Sequence, residues 1–349
     1  MKRWIPAGLA AATAVVAGCS LLPNNGQGIL PKSSPVGGAS LTPATPVPQS
    51  GNLAELQAAY VNSVKKVLPS VVQIENAQGL GSGIVFDNSG DIVTNDHVVT
   101  GGGPYTVTLS GGQKLQASLV GEFAQGDLAV VKISGQSVTP ATFADSGSLQ
   151  VGDITIAVGN PLGLRSSVTA GIVSAVGRTV SESSNVTLPD AIQTSAEINP
   201  GNSGGALVDI AGDVIGIPTL VASDPQLGGT AAGIGFAIPS NTVRDIAGQL
   251  IRDGKVTNSH RAYIGVRVAT SFSGGAVLSS VVSGGPADKA GLKSGDVITK
   301  VNDTAIDGAQ GLTEALAQHQ PGEQVTLTVQ SSGAGTRTLN ITLGQLPSG

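Results

Sequence analysis

The chain has 349 residues, long enough for two or three domains, with 50 Gly, 19 Pro, only 3% aromatic and 12% charged residues. The charged share is about half the usual one, and such a composition favours short strands joined by turns over long helices. A net charge of −5 excludes a basic field for nucleic acid, and the single cysteine, Cys19, excludes an internal disulfide framework or a Cys-rich zinc site.

Lys2 and Arg3 precede an apolar run from Trp4 to Ala17, too short to span a bilayer comfortably and suited to a signal-peptide core. The run ends in Val16-Ala17-Gly18-Cys19-Ser20, which resembles a bacterial lipobox, whose cysteine is lipidated and becomes the mature N-terminus. Residues 1–18 are read as a lipoprotein signal peptide and Cys19 as the lipidation site. Residues 19–52 hold Pro31, Pro35, Pro43, Pro46 and Pro48 among Gly, Ser and Thr, and form a linker that cannot bury enough apolar surface to fold. Its role is to hold the folded part away from a membrane.

From Leu53 the pattern changes. Leu53, Leu56, Val61, Val64, Val67 and Leu68 recur at helical spacing, and Pro69 stops the helix. Short apolar runs bounded by Gly, Asn and Asp follow at 71–75, 82–87, 91–94, 105–109, 114–121, 128–133, 153–158, 168–176, 190–194, 206–209, 213–217 and 233–238. Twelve such strands read as all-β, enough for two Greek-key barrels. Val243 to Arg252 reads as a helix closing this domain, with Asp253-Gly254-Lys255 as its exit.

One stretch in this domain carries chemistry. In Asn199-Pro200-Gly201-Asn202-Ser203-Gly204-Gly205 a serine sits among small residues, which suits a tight turn that exposes one hydroxyl and aims backbone N–H groups at a common spot. The chain has three histidines, His97, His260 and His319, and only His97 lies in the first domain, so it is the one imidazole there to serve Ser203 as a base. Asp127 stands at the head of an apolar strand. The order His97, Asp127, Ser203 is that of chymotrypsin-type barrels and not of subtilisins or α/β-hydrolases.

Thr94-Asn95-Asp96-His97-Val98-Val99, Asp127-Leu128-Ala129-Val130-Val131-Lys132, the Ser203 stretch and Gly233-Ile234-Gly235-Phe236-Ala237-Ile238-Pro239 resemble the signatures of the HtrA family, the DegP- and DegS-like serine proteases, over residues 60–349. Arg261-Ala262-Tyr263-Ile264-Gly265-Val266 is similar to the carboxylate-binding loop of a family PDZ, and the stretches 283–292 and 295–298 are similar to its core. The resemblance implies a mainly β fold: a chymotrypsin-like double β-barrel protease domain (53–255) followed by one α+β PDZ domain (256–349). It implies Ser203 as nucleophile, His97 as general base, Asp127 as its orienting carboxylate, and the N–H groups of Gly201 and Ser203 as the oxyanion hole. Ile198, Ile234 and Phe236 are expected to line an apolar pocket that takes Val or Ala at the cleaved position. Tyr263, Ile264, Gly265, Val266 and Leu316 are expected to bind peptides with free apolar C-termini.

The partners so implied are unfolded or misfolded proteins of the bacterial cell envelope, a membrane reached through the lipid anchor, and sister copies in a trimer formed through Leu53 to Tyr60. No metal or cofactor site is evident. Val176–Pro189 and Thr219–Thr230 are expected to be mobile regulatory loops. Two other readings stay open: a PDZ-gated protease for one signalling partner, and a chaperone or scaffold with little protease activity.

Overall fold

The computed structural model describes residues 53–160, 167–181, 186–199, 201–224, 229–269, 274–331 and 335–347. The expected signal peptide, Cys19 and the linker to residue 52 lie outside the described residues, as does Pro200. No described helix is long and apolar enough to cross a membrane.

Helix α1 (Leu53–Val67) has Glu55 in its first turn and Lys65 and Lys66 in its last, matching the helix dipole at both ends. A 3-10 turn, Leu68–Ser70, follows at Pro69, whose ring cannot continue the helix. The twelve apolar runs then form twelve strands. The first six are β1 (Val71–Glu75), β2 (Leu80–Val85), β3 (Asp91–Thr94), β4 (Tyr105–Thr108), β5 (Lys114–Phe123) and β6 (Leu128–Ile133); a short helix α2 (Asp96–Val99) follows β3. They close a barrel in the order β1-β2-β3-β6-β5-β4. The second six are β7 (Ile154–Gly159), β8 (Ser167–Ser181), β9 (Thr187–Thr194), β10 (Ala206–Val208), β11 (Val214–Asp224) and β12 (Gly229–Pro239), closed as β10-β11-β12-β9-β8-β7.

These strands read as unbroken apolar runs because both of their faces are buried. Ala129, Val131 and Ile133 fill the first barrel, while Leu128 and Val130 pack outward into a core shared by both barrels. Leu207 points into the second barrel and Ala206 and Val208 into the shared core. Helix α3 (Ser240–Asp253) lays Val243, Ile246, Ala247 and Leu250 onto that shared core, at the spacing of one helix face. Full burial of side chains of this size is worth about 1.5–3 kcal/mol each for the larger ones. The helix ends at Gly254, whose φ of 69° lets its N–H reach the Leu250 carbonyl at 2.9 Å.

Residues 176–189 and 219–230 differ from the expected loops. β8 and β9 keep pairing as far as Ser181↔Thr187, and β11 and β12 as far as Asp224↔Gly229. Bulges let these Gly- and Ser-containing arms follow the barrel twist while staying in the ladder, so the segments are mainly hairpin.

The connection out of α3 is clasped by one side chain. Gln249 is 4% exposed. Its Oε1 accepts from Thr257 N at 2.9 Å and Asn258 N at 2.8 Å, and its Nε2 donates to the Asn258 carbonyl at 2.8 Å and to Asp245 Oδ2 at 3.0 Å. Beyond it lie β13 (Ala262–Tyr263), β14 (Val266–Ala269), β15 (Ala276–Val281), α4 (Pro286–Lys289), β16 (Val297–Val301), β17 (Thr304–Ala305), α5 (Ala309–Ala317), β18 (Gln324–Ser331), β19 (Gly335–Thr342) and β20 (Gly344–Gln345). The main sheet runs β14-β15-β16-β18-β19, and Leu312, Ala315 and Leu316 of α5 seal its core. This is the expected α+β unit.

Candidate active site

The chemistry-bearing residues meet at the seam of the two barrels. His97 lies on α2, one turn past β3. Asp127 caps the 3-10 turn Ala124–Gly126 in a left-handed conformation (φ 50°), which aspartate tolerates better than most residues. Its carboxylate is 2% exposed, and Oδ1 accepts from the His97 backbone N at 3.1 Å. His97 Nδ1 lies 2.9 Å from Oδ1 and 3.0 Å from Oδ2, so the ring is held by a carboxylate that is itself fixed. Asn95 helps to hold that aspartate, donating from Nδ2 to the Asp127 carbonyl at 2.9 Å.

From the second barrel, Thr219 on β11 touches both ends of the array. Its hydroxyl donates to Asp127 Oδ2, and its carbonyl accepts from Ser203 Oγ at 3.3 Å. Ser203 sits in the turn between β9 and β10, between Gly201 (φ 103°) and Gly204 (φ 78°). Neither glycine can be replaced without strain, and a Cβ on Gly204 would strike the Ser82 carbonyl and Thr94 Oγ1. Gly205 N bonds the Asn202 carbonyl at 2.8 Å and Asn202 N bonds the Asn199 carbonyl at 2.9 Å, which closes the turn. A hydroxyl, an imidazole and a buried carboxylate in this order can perform acyl transfer.

A cleft of about 810 Å³ opens over these groups, lined by His97, Ser203, Thr219, Ile198, Gly201 and Ile234. Phe236 is not on it. Phe236 is 5% exposed and packs into the shared core, on the face of β12 opposite Ala237, which faces the second barrel. The inner face belongs to Gly235 and Ala237, and a Cβ on Gly235 would stand 2.5 Å from Ile198 Cγ1. Sequence reasoning missed Gly235, Thr219 and Ser82. A glycine between two apolar residues on a strand is the signal for the first; Thr219 is a single hydroxyl in an apolar run, and Ser82 stands between Gly81 and Gly83, a pattern that names no partner.

Asp96 stands next to His97 and is pushed up to about 6, chiefly by burial and further by Glu122 and Asp127 nearby. The sign follows. The unfolded chain releases this proton near 3.8 and the folded chain near 6, so between those values the folded state binds more protons. The Asp96 contribution therefore falls as pH rises from about 4 to about 6 and stays low above that. We expect Asp96→Asn to raise the thermal midpoint at pH 7.5 more than at pH 4.5; equal shifts at both pH values would contradict the burial argument.

A model described as a trypsin-like peptidase domain matches residues 81–217, and a PDZ domain model matches residues 262–343. The chain is 45% identical over 279 residues to a serine protease Do-like HtrA of Lactococcus lactis subsp. lactis (strain IL1403), covering 72% of this chain and 68% of that protein. The chain belongs to the HtrA family of serine proteases.

A second relative of this HtrA protease is a probable periplasmic serine endoprotease, DegP-like, of Chlamydia trachomatis serovar D (strain ATCC VR-885 / DSM 19411 / UW-3/Cx). It is 41% identical over 278 residues, which cover 76% of this chain and about half (54%) of that longer protein. Among solved structures, the HtrA-type protease AlgW with a decapeptide superposes with a TM-score of 0.59 at 32% identity, covering 82% of this chain and 99% of that one. The fold is that of a trypsin-like protease domain followed by a PDZ domain.

The PDZ of this HtrA protease faces its protease domain. Tyr263, Ile264, Gly265, Val266 and Leu316 all line one cavity of about 880 Å³, whose opposite wall includes Leu188 of β9. Arg261, just before that loop, is half-buried, and desolvation lowers its guanidinium to about 10. It donates to the carbonyls of Thr187, at the start of β9, and of Gln125, two residues before Asp127.

Proposed function

We propose that this HtrA protease is an ATP-independent endopeptidase of the cell envelope that degrades misfolded or damaged proteins with a Ser203-His97-Asp127 triad. The observation that carries the reading is the continuous array from Ser203 through Thr219 to Asp127 and from Asp127 to His97 in one cleft. Ser203 Oγ attacks the scissile carbonyl while His97 takes its proton. The C–N bond breaks as His97 returns that proton to the leaving amine, and water then hydrolyses the acyl-enzyme by the same route. Asp127 keeps the imidazole proton on Nδ1 and stabilises the imidazolium. The N–H groups of Gly201 and Ser203 receive the oxyanion.

Ile198 and Ile234 on the cleft, with Ile198 packed against the Gly235 backbone, support an apolar pocket that takes Val or Ala. Glu197 is the one acidic residue among the described lining residues and is exposed at the rim. The Cys19 lipobox, together with a relative named as periplasmic, supports an extracytoplasmic, membrane-anchored place. Leu53, Leu56 and Val61 stand 81%, 44% and 43% exposed on α1, which supports trimer formation through that helix. The cavity at Tyr263–Val266 and Leu316 supports capture of free apolar C-termini.

The test is hydrolysis of an unfolded model protein and of a peptide library by the full chain. Cleavage is expected after Val and Ala; a preference for Lys or Arg refutes the pocket, and an inert, well-folded enzyme favours a chaperone or scaffold. Arg261 favours a second reading, a PDZ-gated protease, because it ties the peptide-binding loop to the turn that carries Asp127. Cleavage that appears only with added apolar-ended peptide selects it.

A further inference from the structure

Ser82 is a polar residue in the middle of β2, 0% exposed, and its side chain enters none of the apolar cores. All of its bonding groups are used, and most of them face the other barrel. Its N–H donates to the Ser203 carbonyl at 3.0 Å. Its hydroxyl donates to the Gly201 carbonyl at 2.5 Å and accepts from Asn160 N at 2.8 Å. Its own carbonyl accepts from Thr94 Oγ1 at 2.6 Å. One residue of the first barrel thus holds the carbonyls of Gly201 and Ser203, the two residues proposed above for the oxyanion hole.

We propose that Ser82 is a positioning residue for the oxyanion hole, acting through Gly201. This rests on the triad and oxyanion assignment made above. Gly201, at φ 103°, has glycine's backbone freedom. The peptide that follows it is held at both ends, its N–H by the Asn199 carbonyl at 2.9 Å and its carbonyl by the Ser82 hydroxyl, which is the only side chain of the two. Solvent cannot replace that hydroxyl at a site with no exposure. Without it, the Gly201 carbonyl and Asn160 N lose their partner, and Gly201 turns to satisfy them elsewhere, taking its N–H out of the pocket. Ser82 touches no substrate, so the loss falls on the transition state and not on ground-state binding.

The test compares wild type, Ser82→Ala and Ser203→Ala in the full chain on one fluorogenic peptide. Affinity for a peptide boronate, whose adduct places an oxygen in the hole, is measured beside it. Ser82→Ala is expected to lower kcat roughly 10- to 100-fold, short of the 10²–10³ lost when a donor is deleted outright. KM should stay within about twofold, and boronate affinity should fall by the same factor as kcat. A kcat within about twofold of wild type overturns the proposal, as does a KM that rises to account for the whole loss. Should the alanine variant fail to fold, Ser82→Cys, of similar size and with a weaker donor, carries the same readings. Cleavage by Ser203→Ala would instead overturn the triad assignment itself, so the two failures are distinct.

Discussion

Replacing Ser203 with alanine abolishes peptide-bond cleavage and leaves the fold in place. The expected loss in kcat is roughly 10⁶-fold, the scale for removing a nucleophile that acts as one unit with its base. Stability should change little. The hydroxyl makes one long bond, 3.3 Å to the Thr219 carbonyl, and net bonds of ordinary length are worth only about 0.5–1.5 kcal/mol. The turn is held by backbone groups that the substitution does not touch, including Ser82 N to the Ser203 carbonyl and Gly205 N to the Asn202 carbonyl. Peptide turnover and a thermal melt on the same sample check both halves. Residual cleavage above one part in about 10³ would mean that another group attacks the substrate.

Asp127→Asn is expected to lower kcat about 10⁴-fold, also without unfolding the protein. The carboxylate accepts from three donors: the His97 backbone, His97 Nδ1 and the Thr219 hydroxyl. An amide has one acceptor oxygen, so its NH₂ must face either Thr219 or the imidazole. Facing the imidazole, it forces the Nδ1 nitrogen to accept, and the ring proton moves to Nε2, where the ring can no longer take a proton from Ser203. The backbone is not strained, because asparagine tolerates the φ of 50° at this position as well as aspartate does. A loss below about 10² would show that the imidazole keeps its tautomer without the carboxylate.

Most of the architecture was legible in the chain. The strands could be placed because Gly, Asn and Asp bound each apolar run, and His97 stood out because the other two histidines fall past residue 255. What could not be read was which face each strand turns inward. β12 is apolar on both faces, so Ile234 and Phe236 carry no mark of parity, and only the fold turns Phe236 into the shared core, away from the cleft. The hairpin arms at 176–189 and 219–230 looked like loops because small polar residues are common to turns and to bulged strand ends. Thr219 and Ser82 were invisible for another reason. Their partners, Asp127 and Gly201, lie 92 and 119 residues away in the chain, and no local pattern encodes such a bond.

The Gln249 clasp changes what kind of joint connects the two domains. A flexible tether lets an attached module find its target by diffusion, at a local concentration set by tether length. Gln249 removes that slack. It binds Thr257 and Asn258 directly to α3, and Ser259 continues the hold by donating to the Leu346 carbonyl at 3.0 Å. A displacement imposed at the Tyr263–Val266 loop would therefore meet a connection hydrogen-bonded to both neighbours. On the PDZ-gated reading, Arg261 is where that displacement would reach the turn that carries Asp127.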